Sequence, residues 1–146
     1  MSSQPALLAA ALIAAGPPAQ PARLHAVRAA LTANQRLSER ALWLDRLPAD
    51  AAASTRGPAL AQLAAAARGR RRDGVRIRTL RIVSRVSDIS VHGAAATALI
   101  RETERLQPCS LAGKPLGPPL TLTEQARVLL HRLRDGHYVV WQLESR

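Results

Sequence analysis

Ten acidic residues, four histidines and a single cysteine are the groups in this 146-residue chain that could move protons, hold metal or attack an electrophile. Their spacing supports little of that chemistry. Cys109 stands alone in a stretch rich in proline and glycine, which excludes an intramolecular disulfide and any site built on several cysteines. As a nucleophile it would need a helix N-terminus or a cationic base beside it, and its sequence neighbours specify neither. No pair of His or acidic residues has metal-ligand spacing, no glycine-rich loop lies between a strand and a helix, and no serine sits in a nucleophile elbow. No catalytic, cofactor-binding or metal-ligating residue is therefore assigned, and no cofactor is expected. Proton transfer would need an acid with a second group within about 3 Å, or one water away.

The charge is high and diffuse. The formal net charge is +11, and all but Lys114 of the 21 basic residues are arginine, spread among alanine, glycine and proline. Such usage follows from a GC-rich codon bias, so a solvated basic surface is preferred to a nucleic-acid site. Arg68 to Arg72 and Arg76 to Arg85 are the runs that a polyanion-binding module would use. Alanine supplies much of the 47% apolar fraction and phenylalanine is absent, which predicts a small core.

The elements that must position these groups are legible from the pattern. Residues 1–21 contain an apolar run from Ala6 to Ala15 followed by Gly16-Pro17-Pro18, which reads either as a secretory signal or as a disordered or packed alanine-rich segment. The run is too short for a membrane span, so no transmembrane segment is expected. Gly16 to Pro21 should break structure. Residues 22–146 read as one α+β domain. Leu24, Val27, Leu31, Leu37, Ala41 and Leu44 recur at helical spacing, with a phase change near Thr32-Ala33-Asn34 that suggests a break, and Pro48 ends the element. A second helix is predicted from Pro58 through Arg68, with Ser54 or Thr55 as cap and Leu60 and Leu63 buried; Gly74 releases the chain into strands. Trp43 reads as a core or staple residue.

Val75 to Val86 alternates as a strand, and its phase shift at Thr79-Leu80 predicts a bulge, with Leu80 and Ile82 inward beyond it. A hairpin is expected around His92-Gly93, pairing Val91 with Ala94, and its small Ala94, Ala96 and Ala98 leave room for a helix. Gln107 to Pro119 reads as a surface loop. The closing hairpin turns at Asp135-Gly136, which as a two-residue loop sets Leu133 opposite Tyr138, Leu130 opposite Trp141, His131 opposite Val140, Val128 opposite Leu143 and Arg127 opposite Glu144. That register places Val128, Leu130, Trp141 and Leu143 inward, and Arg127, His131, Tyr138 and Glu144 outward.

Helices followed by antiparallel strands predict helices packed on one face of a bent sheet. This layout, with Asp88-Ile-Ser-Val-His-Gly-Ala-Ala-Ala-Thr97 ahead of a long strand and Asp135-Gly136 followed by Trp141, resembles the NTF2-like (SnoaL-like) cone fold. It is also similar to accessory domains of that shape in exported actinobacterial proteins. The resemblance implies a pocket between sheet and helices, in which enzymatic members use an Asp or Glu base with a His or Tyr. Asp45, near the end of the first helix, is the acid placed to look into such a pocket. Glu102 and Glu104 continue the face of Ala98 and Ile100 but fall near a strand end, where exposure is expected.

Three readings follow. One is a non-catalytic NTF2-like binding or assembly domain that takes a small apolar ligand in its pocket, or forms a homodimer or binds a partner protein through its sheet face. A second is a small pocket enzyme of the cyclase or isomerase kind, with Asp45, Glu102 and His131 as candidates. The third is the arginine-based polyanion binder. Export or the cell envelope and the cytoplasm stay open as locations.

Overall fold

The computed structural model describes residues 3–146, with side chains from Gln20 onward. Helix α1 (Ser3–Leu44) is followed by a 3₁₀ turn (Ala51–Ala53) and helix α2 (Gly57–Asp73). Strands β1 (Val75–His92), β2 (Ala95–Ser110), β3 (Leu120–Arg132) and β4 (Tyr138–Ser145) then form one antiparallel sheet in the order β1-β2-β3-β4. The sheet is open rather than closed into a barrel, and both helices pack on it, which is the α+β arrangement expected. Among the described residues no helix is long and apolar enough to cross a membrane.

Neither expected break interrupts α1. Its backbone is helical through Gly16 to Pro21, and within that segment the side chains of residues 16–19 lie outside the described residues. At Thr32-Ala33-Asn34 the reason is clear. Val27, Ala30, Leu31, Leu37 and Ala41 are buried at spacings of three, four and seven, and Asn34 fills the missing position on the same stripe. The Asn34 Nδ2 donates to Thr55 Oγ1 at 2.8 Å, which satisfies a polar group in a core position. A buried asparagine had imitated a change of phase.

Thr55 also corrects the expected cap. Backbone N–H of Arg56 donates to Val140 O at 2.9 Å and that of Val140 to Ser54 O at 2.9 Å, so residues 54–56 line the outer edge of β4 instead of capping α2. The cap position is Arg56, with no side-chain hydrogen bond. Helix α2 runs past Gly69 to Asp73 and ends at Gly74 in the left-handed region (φ 70°), with Arg70, Arg71 and Arg72 in its last turn complementing the helix dipole. Its fully buried residues are Ala59 and Ala67, while Leu60 and Leu63 are half-buried. The alanines let the helix approach closely.

The predicted bulge in β1 is present. Thr79 pairs with Leu106 and Arg81 with Arg105, leaving Leu80 unopposed. Leu80 is exposed, contrary to the inward role expected of it, because the extra residue itself is pushed out of the ladder. A second irregularity lies between Ser87 and Ser90, where Asp88 has φ 51°. The β1–β2 turn is Gly93-Ala94, one residue later than expected, so His92 pairs with Ala95 and Val91 with Ala96. Strand β2 continues through Pro108 to Ser110, which shortens the expected loop at its start.

The closing hairpin keeps half of its expected register. Its loop holds three residues, Arg134 to Gly136: Leu133 N–H donates to His137 O at 2.7 Å and Gly136 N–H to Leu133 O at 3.1 Å, with Gly136 at φ 91°. The longer loop shifts pairing near the turn, so Arg132 faces Tyr138, His131 faces Val139 and Leu130 faces Val140. An irregularity at Trp141 restores the rest, and Val128–Leu143 and Arg127–Glu144 pair as expected. Val140 therefore takes the inward place expected of Trp141. Tyr138 is buried in the core rather than outward, with no partner for its hydroxyl among the described residues. The core joins Val27, Ala30 and Leu31 of α1 to Ala96, Ala98, Ile100, Val128, Leu130 and Val140 of the sheet.

Candidate functional site

Alternation along β2 sends Ala96, Ala98 and Ile100 under the helices, and the same parity carries Glu102 and Glu104 to that face. Glu124 of β3 pairs directly with Glu102. Beyond Ile100 the helices stand away from the sheet and leave a cleft of about 280 Å³. Asn34, Gln35, Ser38 and Glu39 of α1 line one wall, and Ala59, Gln62, Leu63 and Ala66 of α2 another. Ile100, Glu102, Glu104, Glu124, Ala126 and Leu143 form the sheet side. The result is an apolar floor beside a cluster of four glutamates.

These acids repel one another at reduced hydration. Burial, then Glu104, Glu124 and Glu39 in that order, push the Glu102 carboxyl up to about 7 from 4.5. Burial likewise raises Glu104, with Glu124 and Glu39 adding to it. Gln35 also lines the cleft, and among the described residues its buried Nε2 has no hydrogen-bond partner. The cleft therefore presents carboxyl oxygens and one unused amide donor beside apolar side chains. Among the described residues no group of three or more His, Cys, Asp or Glu side chains is arranged to hold a metal ion.

A raised carboxylate pKa has a defined effect on stability. Between 4.5 and about 7 the folded chain holds the Glu102 proton that the unfolded chain has lost, so stability falls as pH rises through that window. Glu102→Gln should remove this slope. At pH 8 the variant is expected to melt about 3 °C above the parent, allowing for solvent screening of a partly exposed group, and at pH 4.5 to match it. Equal melting temperatures at both pH values would show that Glu102 ionises freely.

The structure separates the other sequence candidates from this cleft. Asp45 does not look into a pocket mouth: it is buried at the end of α1 with φ 61°, and Arg76 Nε donates to its Oδ2 at 3.1 Å. The guanidinium carbons of Arg78 and Arg76 lie 4.7 and 5.7 Å from the centroid of the Trp43 ring, so Trp43 and Asp45 together staple α1 to the start of β1. His131 does not line the cleft; it stacks on Trp141 with centroids 4.5 Å apart and planes 16° apart. Cys109 is fully buried, its Sγ 3.5 Å from Gln107 O.

The expectation that Glu102 and Glu104 are exposed is thus corrected, since the helices overhang them. Glu39 and Glu124 were missed. A usable signal existed for Glu39, which lies one helical turn after Gln35, on the flank of the stripe that Asn34 extends. Glu124 required the β2–β3 register, which the length of the intervening loop conceals.

No family model matches the sequence, and no curated protein matches it. Among solved structures, the crystal structure of the intermembrane space region of the chloroplast protein ARC6 has the same fold, with a TM-score of 0.62 at 13% identity, covering 82% of this chain and 92% of that one.

Proposed function

We propose that this chain is a non-catalytic, NTF2-like binding domain whose helix–sheet cleft takes a small ligand with an apolar body and a cationic head. The observation that carries the reading is the pairing, in one cleft, of an apolar floor with Glu39, Glu102, Glu104 and Glu124. Apolar walls with a few convergent polar groups are the usual make-up of a small-molecule site. The fold by itself argues for no function, since one architecture hosts many. An ammonium head would favour ionised Glu102, so binding would release a proton near neutral pH and tighten as pH rises.

Benzylammonium, benzyl alcohol and benzoate make a graded set of probes. With ¹⁵N-labelled protein, benzylammonium at millimolar concentration should move the signals of Gln35, Gln62 and Ala59, benzyl alcohol less so and benzoate least. Glu102→Gln with Glu104→Gln should erase the preference for the amine. Failure of all three probes to perturb the cleft would overturn the reading.

A second reading rests on Glu102 alone. A carboxyl near 7 is suited to general acid–base work, as in a small cyclase or isomerase. It predicts that Glu102→Gln abolishes turnover of a substrate while leaving its affinity intact, and that Asp45→Ala and His131→Ala do not.

A further inference from the structure

The opposite side of the sheet has a different chemistry. Because Ala96, Ala98 and Ile100 face the helices, Leu99, Arg101, Thr103 and Arg105 of β2 face away from them. Their cross-strand partners share that side: Arg85 pairs with Arg101, Val83 with Thr103 and Arg81 with Arg105, while β3 brings Thr123 beside Thr103 and Arg127 beside Leu99. The Thr103 and Thr123 hydroxyls lie 3.2 Å apart, as residues on one face must. Arg81, Arg85, Arg101, Arg105 and Arg127 are all exposed. Among the described residues none of the five forms an ion pair within 4.0 Å, although Glu144 stands opposite Arg127 in the ladder.

The sheet is therefore polarised, with glutamates beneath the helices and arginines on the free face. We infer that this free face is a docking surface for an extended acidic polypeptide segment, held by the arginine rungs Arg81–Arg105 and Arg85–Arg101. The rungs are four residues apart, about 13 Å along the strands, which matches acidic side chains at positions i and i+4 of an extended peptide. Between them lie Val83, 46% exposed, and the Thr103–Thr123 pair, a surface for a small or apolar side chain at i+2.

Charge complementarity selects the partner. A second copy docked by the same face would set rung against rung, since a two-fold interface pairs each patch with itself. Single-stranded nucleic acid would want aromatic platforms for its bases, and the nearby Trp141 ring is already covered by His131 and Gly57. The inference concerns a surface separate from the cleft and stands or falls without it.

Fluorescence anisotropy with a labelled peptide repeating Glu-Ser-Val-Ser, which sets glutamate at i and i+4 and valine at i+2 on one face, tests it on the full chain. Arg101→Glu with Arg105→Glu should weaken binding about tenfold or more. Arg70→Glu with Arg71→Glu, at the same net charge but at the end of α2, should leave it within about twofold of the parent. All four positions are exposed, and unchanged thermal melts would confirm that both variants fold. Equal loss in the two variants would overturn the inference, as attraction by net charge would then suffice. Tighter, face-dependent binding of oligo-dT or of phosphatidylglycerol vesicles would overturn it in favour of those partners. A dimer abolished by the Arg101/Arg105 variant would overturn it in favour of self-association.

Discussion

Gly57→Ala is expected to destabilise the fold by about 3 kcal/mol or more, through backbone conformation and collision together. Gly57 opens α2 at φ 59°, a region that costs an alanine about 1–2 kcal/mol. A Cβ built there would lie 2.6, 2.7 and 2.9 Å from three atoms of the Trp141 ring, well inside contact distance. The ring has little freedom to retreat: it is stacked on His131, and Trp141 sits at the irregularity that resets the β3–β4 register. Urea denaturation of the single variants Gly57→Ala and Trp141→Ala and of the double variant separates the two causes. The collision should appear as a coupling energy that makes the double variant less unstable than the sum of the singles, while the φ penalty persists. A Gly57→Ala protein within about 0.5 kcal/mol of the parent would contradict both parts.

Leu130→Ala should cost about 4 kcal/mol, near the upper end for leucine truncation in a core. Leu130 has no exposed surface, and its cross-strand neighbours are Val140 and Ala96. Alanines at 30, 96 and 98 cannot swing a longer side chain into the space, so most of the cavity should persist. Leu129, the next residue, points to the other side of the sheet and is half-buried; Leu129→Ala should cost about 1 kcal/mol. Similar losses at the two positions in urea denaturation would mean that the burial pattern of β3 is wrong.

The architecture was readable where local chemistry and tertiary packing agree. The alternation in β1 faltered at Thr79-Leu80, and the ladder has its bulge there; Gly74 ends α2 in the left-handed conformation its sequence position suggests. Agreement failed where a residue served a distant partner. Asn34 looked like a break because its use, the hydrogen bond to Thr55, lies 21 residues away. Trp141 looked inward because Asp135-Gly136 fits a two-residue turn, and the third loop residue, Arg134, became visible only through the Leu133–His137 hydrogen bond. The cleft was half legible: β2 parity placed Glu102 and Glu104 on the helix side, but overhang by α1 and α2 depends on interhelical geometry that no spacing records. Asp45 misled for the opposite reason, as a buried acid near a helix end suits a salt bridge as well as a site, and Arg76 claims it.

The two irregularities in β1 also bear on how the molecule behaves in crowded solution. The edge of β4 is bridged by Thr55 at Val140, whereas β1 is the outermost strand on the other side and runs for 18 residues. An uninterrupted edge of that length would template the addition of further chains, the first step toward fibrous aggregates. Offsets at Leu80 and near Asp88 divide it into shorter stretches, and the exposed Arg81 and Arg85 between them repel an identical edge. The features that bend the sheet thus also disfavour the addition of one copy to the next along this edge.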